Sequence, residues 1–399
     1  MKNKKYMILV VVLVIVLACL IGYFINNNSS NNTNNSNYSE KNNSTNSTLV
    51  TNDTYSTSDM FTDRDLEQTV DTTDATKYTV TSGKDINITK EGVYVISGTA
   101  TNSTIYVEAD DEAKIQIVLD GVNITNTNFP CIYVKSGDKV FITTSADSSL
   151  TVSGTFKADG DTNTDGVIFS KSDITLNGTA TLKINSTDNG VVSKDDLKVT
   201  GGTYNITATS KGLQANDSIR IADGTLVIKA GTDGLHAEYD EDDSVGYVYI
   251  SGGNITINAG DDGIHATTIA QFEGGTINIT AGEGIEGTYI LINNGTINIK
   301  ATDDGINAAN KSSKYSIKVE INGGTITVDM GQGDTDAIDS NGDLLITGGT
   351  ITINAQSPFD YDGTGSKTGG KIIVNGSETD TLSNQMMGGG MRGNNGRRR

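Results

Sequence analysis

The chain has 399 residues, 46 glycines, two prolines, no tryptophan and a formal net charge of −20. Such acidity argues against non-specific binding to nucleic acid or anionic lipid, and it favours neutral, cationic or cation-bridged partners. The only cysteines are Cys19, in an N-terminal apolar run, and Cys131, in the body, which excludes a framework of intramolecular disulfides.

The N-terminus carries an apolar segment of membrane-spanning length. Three lysines within the first five residues precede an unbroken apolar run from Met7 to Ile25. At about 1.5 Å per residue this run would cross the hydrocarbon core as a helix. Residues 1–25 are therefore predicted to be an uncleaved transmembrane anchor. A lipoprotein signal around Ala18-Cys19 and a cleaved secretion signal are the alternatives, and the lysines place the rest of the chain outside the cell.

The composition divides the remainder into three parts. Residues 26–74 are rich in Asn, Ser and Thr and poor in apolar side chains, which predicts a disordered tether. Short apolar runs punctuated by glycine begin near Thr76, so residues 75–380 are predicted to be one folded domain whose first, irregular coils cap its core. Residues 381–399, rich in Gly, Met and Arg, are predicted to be a disordered tail.

A short unit recurs between residues 231 and 310. Stretches such as Gly275–Ala281 alternate Ile with Thr or Asn, as in a strand with one buried face. Acid–glycine steps separate the strands at spacings of 29, 21 and 21 residues, at Gly234, Gly263, Gly284 and Gly305. A period in the low twenties without helical segments fits three short strands and three bends, so we predict an all-β parallel β-helix.

Five blocks in the folded part resemble a known family in the same order along the chain. The blocks are Lys90–Gly98, Val118–Asn126, Ile132–Ile142, Asp165–Lys171 and Val191–Thr203. They resemble the bacterial and archaeal surface family of carbohydrate-binding domain-containing proteins, and the resemblance covers roughly residues 76–380. It implies a calcium-containing, right-handed β-helix of about 21–24 residues per coil with loop insertions, similar to polysaccharide lyases. It also implies binding to cellulose or acidic sugars.

The acidic turns predict a calcium site. Coils stacked about 4.8 Å apart would place the acids of successive turns in one column, and each neighbouring pair would repel by roughly 1 kcal/mol in water. Ca²⁺ relieves such repulsion because it takes six to eight oxygen ligands; the alternative is that the aspartates only form tight turns. The predicted ligands are Asp165, Asp188, Asp195, Asp233, Asp261, Asp262, Asp303, Asp304 and Asp336.

Two insertions, residues 238–247 and 310–315, lengthen the coils. Loops that leave the same corner of a solenoid build its binding face. Tyrosine rings in these loops and in the last turn could stack on pyranose rings, or they could only cover the coil edges. The predicted carbohydrate-binding residues are Tyr239, Tyr247, Tyr315 and Tyr361.

No catalytic constellation stands out, so no catalytic residue is assigned. A lyase would need Arg220 as its base, or one of Lys171, Lys194 and Lys211 in its place. His236 and His265 occupy the repeat position that Asn307 also occupies, which is typical of turn residues rather than general bases.

These features predict a monomeric, extracellular, surface-anchored protein. It is predicted to be stabilised by Ca²⁺ and to bind a plant-type or cell-wall polysaccharide, either cellulose or a uronate-containing polymer. A calcium-dependent polysaccharide lyase and a protein-binding adhesin are the alternatives.

Overall fold

The computed structural model describes residues 58–331 and 335–384. The predicted anchor, most of the tether and most of the tail lie outside these residues. Within them, no helix has the length and apolar character needed to cross a membrane.

The described residues form a solenoid in which each coil passes through three parallel sheets, called sheets 1, 2 and 3 in the order the chain visits them. Sheet 1 consists of β8 Ser148–Val152, β11 Thr181–Ser186, β14 Thr203–Ala208, β17 Thr225–Lys229, β20 Asn254–Asn258, β22 Thr276–Ala281, β24 Thr296–Ala301, β27 Thr325–Met330, β30 Thr350–Asn354 and β33 Lys371–Val374. Sheet 2 consists of β2 Ile86–Ile88, β4 Ile105–Glu108, β6 Ile132–Ser136, β9 Gly166–Ser170, β12 Asn189–Ser193, β15 Leu213–Ala215, β18 Leu235–Ala237, β25 Ile306–Ala308, β28 Asp336–Ser340 and β31 Ser357–Tyr361.

Sheet 3 completes each coil. It consists of β1 Thr76–Thr79, β7 Lys139–Ala146, β10 Asp173–Gly178, β13 Asp196–Val199, β16 Ser218–Ile221, β19 Tyr247–Ile250, β26 Lys318–Ile321, β29 Asp343–Ile346 and β32 Gly365–Lys367. Four strands bend from one sheet into the next: β3 Gly92–Thr101, β5 Lys114–Asn126, β21 Asp262–Phe272 and β23 Glu283–Ile292. A short β34, Ser377–Thr379, pairs antiparallel with β33.

The alternation of apolar and polar residues explains the coil. Ile255, Ile277 and Ile297 are in register on β20, β22 and β24, and all three are fully buried. Repetition of this pattern builds one apolar core along the solenoid, while Thr and Asn side chains face outward. The predicted all-β parallel solenoid is therefore confirmed.

The glycine of each acid–glycine step lies where neighbouring coils touch. Gly234 N donates to Asp262 O at 2.9 Å, and Gly284 N donates to Asp304 O at 2.8 Å. A Cβ at Gly284 would lie 2.5 Å from Ile299 Cγ2 and closer still to Gly305 O. Only glycine allows the coils to approach this closely.

The end of the predicted tether is ordered against the body. Residues 58–74 contain the helical turn α1, Asp63–Leu66, whose N-cap is Thr62. Asp65 is fully buried, 2.5 Å from Lys139 Nζ and 3.5 Å from Lys198 Nζ. This segment, which we call the strap, therefore lies on sheet 3. Its anchoring is not visible in the local composition, because the partners of Asp65 lie far along the chain.

Candidate metal and carbohydrate site

A column of acidic side chains follows the corner where each coil enters sheet 2, as the sequence predicted. Asp262 is in register with Glu283, and the register of the next coil places Asp304 beside Glu283. Asp262 N also donates to Asp233 Oδ1 at 3.2 Å, and Asp336 N donates to Asp304 Oδ1 at 3.0 Å. These five residues form one line across successive coils, which we call the acidic column.

Two histidines contact the carboxylates in the N-terminal part of the acidic column and offset their negative charge. His236 Nδ1 lies 2.8 Å from Asp233 Oδ2, and His265 Nδ1 lies 3.0 Å from Asp262 Oδ2. His265 Nδ1 also lies 2.8 Å from Glu286 Oε2. Burial acts to lower the pKa of His265, but its contacts with the two carboxylates raise that pKa to about 9. The two carboxylates therefore favour a proton on His265 Nδ1.

The C-terminal part of the acidic column lacks this compensation. In the part of the chain that the structure describes, Glu283 and Asp304 of the column form no ion pair, and neither does Asp339, which lies beside the column on β28. Burial, followed by repulsion from neighbouring carboxylates, raises the pKa of Glu283 to about 7 and that of Asp304 to about 6. The same two causes raise the pKa of Asp339 to about 7. This end of the column would be stabilised by a cation.

Four other predicted calcium ligands lie at the same corner. Asp165 and Asp188 stand on successive coils nearer the N-terminus, where burial and the charge of Asp165 raise the pKa of Asp188. Asp165 Oδ1 is buried and has no hydrogen-bond partner. Asp261 and Asp303 immediately precede members of the acidic column, and both are exposed to solvent.

Asp195 belongs to a different acidic group. It lies at the corner between sheets 2 and 3, beside Asp173, Asp196 and Asp217. Burial and the charges of Asp217 and Asp196 raise the pKa of Asp195. The structure does not bring Asp195 to the acidic column, because the two corners lie at opposite ends of the sheet 2 strands.

The histidines are strand residues, so their interpretation as turn residues was wrong. His236 lies in β18 and His265 in β21, and the two are in register. Their rings stack with centroids 4.7 Å apart and an interplanar angle of 20°. The shared repeat position of His236, His265 and Asn307 was visible in the sequence, and its alternation with apolar neighbours was the signal that could have placed it on a strand.

A cavity of about 200 Å³ opens beside His236 on the outer surface of sheet 2. Two lysines contribute positive charge to it, and the half-buried Tyr239 contributes an aromatic ring. The lining consists of Lys194, Lys211, Gln214, Asn216, His236, Glu238, Tyr239, Asp240 and Glu241. These side chains could hydrogen-bond to sugar hydroxyls and pair with a sugar carboxylate.

The two insertions leave the same corner, between sheets 2 and 3, and they contact one another. Ser313 N donates to Asp243 Oδ2 at 2.8 Å, and Ser312 Oγ donates to Asp243 O at 2.5 Å. Ser312 N in turn donates to Thr288 Oγ1 on the intervening coil at 2.8 Å. The loops therefore form one ridge beside the cavity.

The four predicted sugar-binding tyrosines do not form one platform. Tyr247 is only 9% exposed, and it packs against Met60 of the strap, so its ring cannot stack on a sugar. Tyr315 is half-buried against Ile269, Tyr289 and Leu291.

The other two tyrosines lie far apart along the solenoid. Tyr361 packs against the last coil, and its hydroxyl donates to Leu382 O at 3.1 Å. Tyr239 alone lines the cavity, and its hydroxyl donates to Glu241 Oε2 at 2.9 Å.

Arg220 is unsuited to the role of a lyase base. Its Nη2 lies 2.6 Å from Asp196 Oδ2, and its Nη1 donates to Met60 O at 3.3 Å beneath the strap. Lys194 and Lys211 line the cavity instead, whereas Lys171 Nζ donates to Thr162 Oγ1 at 2.8 Å.

The fold and the site define a parallel β-solenoid with acidic corners and a polar surface cavity. A family model described as Carbohydrate-binding domain-containing protein matches residues 82–334 and 281–386, well over half of the chain. The chain therefore belongs to the family of carbohydrate-binding domain-containing proteins.

Two further comparisons agree with this assignment. A Carbohydrate-binding domain-containing protein from Acetivibrio thermocellus is 39% identical over 126 residues, which is 30% of this chain and 44% of that relative. The match thus spans less than half of the relative's length. The solved polysaccharide lyase-like protein from C. thermocellum, in its gadolinium derivative, is 33% identical with a TM-score of 0.51. That comparison covers 56% of this chain and 96% of the solved one.

Proposed function

We propose that this protein binds an acidic polysaccharide at the cavity beside His236, as a calcium-stabilised, surface-anchored extracellular protein. Membership of the carbohydrate-binding domain family supports the ligand class. The observation that carries the proposal is the pair of lysines, Lys194 and Lys211, in a polar cavity of a chain whose net charge is −20. The cavity also contains Glu238, Asp240 and Glu241, but a lysine pair that can contact a carboxylate directly selects a carboxylate-bearing sugar over a neutral one.

The geometry of the cavity supports recognition of a single sugar unit at a time. Tyr239 supplies an aromatic face, Gln214 and Asn216 supply amide donors and acceptors, and the lysines supply charge. Burying these groups without partners would be costly, so a ligand without a carboxylate should bind more weakly. A uronate polymer therefore fits better than cellulose.

We expect the lysines to be essential for binding. Lys194→Ala combined with Lys211→Ala should weaken binding to soluble polygalacturonate by at least tenfold, since each removes a charge-assisted hydrogen bond worth about 1.5–3 kcal/mol. Affinity electrophoresis or calorimetry on the full chain would measure the loss. The matched control is Lys229→Ala, which removes an exposed lysine from sheet 1. Equal binding by the double variant and the wild type would contradict the proposal.

Calcium fits the C-terminal part of the acidic column. The donors there are all oxygens: Asp304 and Asp336 on the column, with Asp339 and Asp360 beside them on sheet 2. A hard divalent cation suits such donors, and it would remove the repulsion among them. When bound, the ion would supply charge neutralisation and a rigid corner, while the protein holds the carboxylates in register.

Calcium should stabilise the protein. After removal of divalent ions, Ca²⁺ at 100 times its dissociation constant should raise the free energy of unfolding by about 2.7 kcal/mol. Thermal unfolding of the full chain with and without Ca²⁺ measures the change. Asp339→Asn should reduce it, whereas Asp120→Asn, at an exposed site on sheet 3, should not. If millimolar Ca²⁺ does not change the melting temperature, these aspartates do not form a calcium site and serve only as turn and strand residues.

The resemblance to a polysaccharide lyase-like structure gives a second candidate, cleavage of the bound polymer. We propose binding without cleavage, because Arg220 forms an ion pair with Asp196 and a hydrogen bond to Met60 O of the strap. A lyase would release unsaturated uronates, which absorb in the ultraviolet. Steady growth of that absorbance with polygalacturonate, abolished by Lys211→Ala, would replace the binding proposal with a catalytic one.

A further inference from the structure

We propose that His236, His265 and Glu238 form a binding site for a divalent first-row transition metal such as Zn²⁺. The site is separate from the calcium site proposed at the C-terminal part of the acidic column, and it lies beside the cavity on sheet 2. One ligand atom from each of the three residues lies within 4.8 Å of the other two. Two imidazoles and one carboxylate are the donors that zinc takes at sites with an open coordination position.

The two rings are oriented alike, which places their Nε2 atoms on the same side of the histidine pair. Both Nδ1 atoms contact the aspartate three residues earlier, and the two rings are nearly parallel. Both Nε2 atoms therefore point the same way, and His236 Nε2 lies 3.0 Å from Glu238 Oε2. Residues 236 and 238 share an outward face because side chains alternate along a strand.

An unpaired nitrogen of His265 is a second observation that points to a ligand. His265 is 6% exposed, and its Nε2 is buried with no hydrogen-bond partner. An unpaired buried nitrogen costs roughly 1–3 kcal/mol. A metal ion coordinated by this Nε2 would remove that cost. The ligands of a tetrahedral ion with bonds of about 2.1 Å are about 3.4 Å apart, so small side-chain movements would close the site.

The outer contacts match those of metal-bound histidines. A ligating imidazole commonly donates its other N–H to a carboxylate, which fixes its tautomer and orientation. Here Asp233 faces His236 Nδ1, while Asp262 and Glu286 face His265 Nδ1. Asp262, His265 and Glu286 also lie close enough to be ligands themselves. However, His265 Nδ1 already contacts both acids, and Glu286 also pairs with Lys311 at 2.7 Å.

The cavity supplies access. His236 and Glu238 both line it, so an ion can enter without unfolding the coil, and coordination positions left open by the protein would face the cavity. Net negative charge around the site also favours a cation. Asp233, Asp262, Glu286 and Glu238 carry four negative charges against two imidazoles and Lys311.

Cobalt provides a direct test, because Co²⁺ bound by nitrogen and oxygen in a four- or five-coordinate site absorbs visible light. The full chain, stripped of metal and then saturated with Ca²⁺, should take up one Co²⁺ with visible d–d bands. Zn²⁺ should displace it, and further Ca²⁺ should not. Glu238→Gln and His265→Gln should each weaken Co²⁺ binding at least tenfold. Asp262→Asn should weaken it about 10–100-fold, because it removes one of the two carboxylates that orient the His265 ring.

Glu241→Gln is the matched control, because it lies in the same loop and lines the same cavity. It should leave the Co²⁺ spectrum and affinity unchanged. Glu238 has a 37% exposed side chain, so its variant should fold even if the His265 variant does not. Absence of d–d bands, equal affinity in Glu238→Gln, or displacement by Ca²⁺ would each overturn the proposal. Because Ca²⁺ is saturating throughout, these outcomes are independent of the proposed calcium and polysaccharide binding.

Discussion

Asp65→Ala is expected to lower the free energy of unfolding by about 3–5 kcal/mol, the usual cost of removing one partner from a buried ion pair. Asp65 is fully buried, and the side chains of its partners Lys139 and Lys198 are only 10% and 8% exposed. Thr175 Oγ1 also donates to Asp65 Oδ1 at 2.9 Å, and Thr62 N and Oγ1 donate to Asp65 Oδ2 at 2.9 and 3.0 Å, so five groups lose their acceptor. Urea unfolding of the full chain measures the loss, and faster proteolysis within residues 58–72 would show that the strap has detached.

A surface pair provides the control for this experiment. Lys371 and Glu378 lie 2.9 Å apart, but their side chains are 50% and 63% exposed. Glu378→Gln should therefore cost less than about 1 kcal/mol. A similar small cost for Asp65→Ala would show that the strap does not contribute to the stability of the solenoid.

The same carboxylate predicts a pH dependence. Burial alone would raise the pKa of Asp65, but the hydrogen bond from Lys139, the Thr62 amide and the lysine charges lower it well below its usual value. A group whose pKa falls on folding stabilises the protein above its unfolded pKa, near 3.8, and this contribution is lost as the pH drops further. Asp65→Asn should therefore flatten the fall in stability below pH 4. An unchanged acid profile would exclude Asp65 as its source.

Gly284→Ala should destabilise the protein by about 1–3 kcal/mol or more through overpacking. The new methyl group would press on Ile299 Cγ2 and on Gly305 O of the next coil, which cannot withdraw without breaking the stack. Thermal or urea unfolding of the full chain measures the effect.

Gly287→Ala, three residues along the same strand, is the matched control. Its Cβ would lie 3.2 Å from Ala266 O, and alanines occupy the equivalent positions, Ala266 and Ala308, on the adjacent coils. This variant should change the free energy of unfolding by less than about 0.5 kcal/mol. Equal costs at the two positions would contradict the close approach of the coils at the acid–glycine step.

The solenoid was predictable because its stabilising pattern is local and repeated. Alternating runs such as Thr276–Ala281 specify strands, and the spacing of Gly263, Gly284 and Gly305 specifies the coil. The acidic column followed from stacking alone. A sequence repeat does not reveal which outward-facing side chains contact other parts of the chain, because those contacts depend on loops and on residues far away in the sequence.

The strap and the histidine pair illustrate this limit. Asp65 meets Lys139 and Lys198 across 74 and 133 positions of sequence, and nothing near Asp65 indicates those partners. His236 and His265 were recognised as equivalent. However, the turn that contains each acid–glycine step was predicted to include the histidine, whereas each histidine lies in a strand. The aromatic prediction failed at Tyr247 for a related reason, since the strap covers that part of sheet 3.

Amide hydrogen exchange with a soluble oligogalacturonate in Ca²⁺ tests the proposed binding site most directly. We predict slower exchange in residues 211–216 and 236–246, which border the cavity, and no change on the outer face of sheet 1, as in Asn254–Asn258. Protection on sheet 1 alone would move the binding surface to the Thr and Asn face. No protection at saturating ligand would contradict acidic polysaccharide binding by this protein.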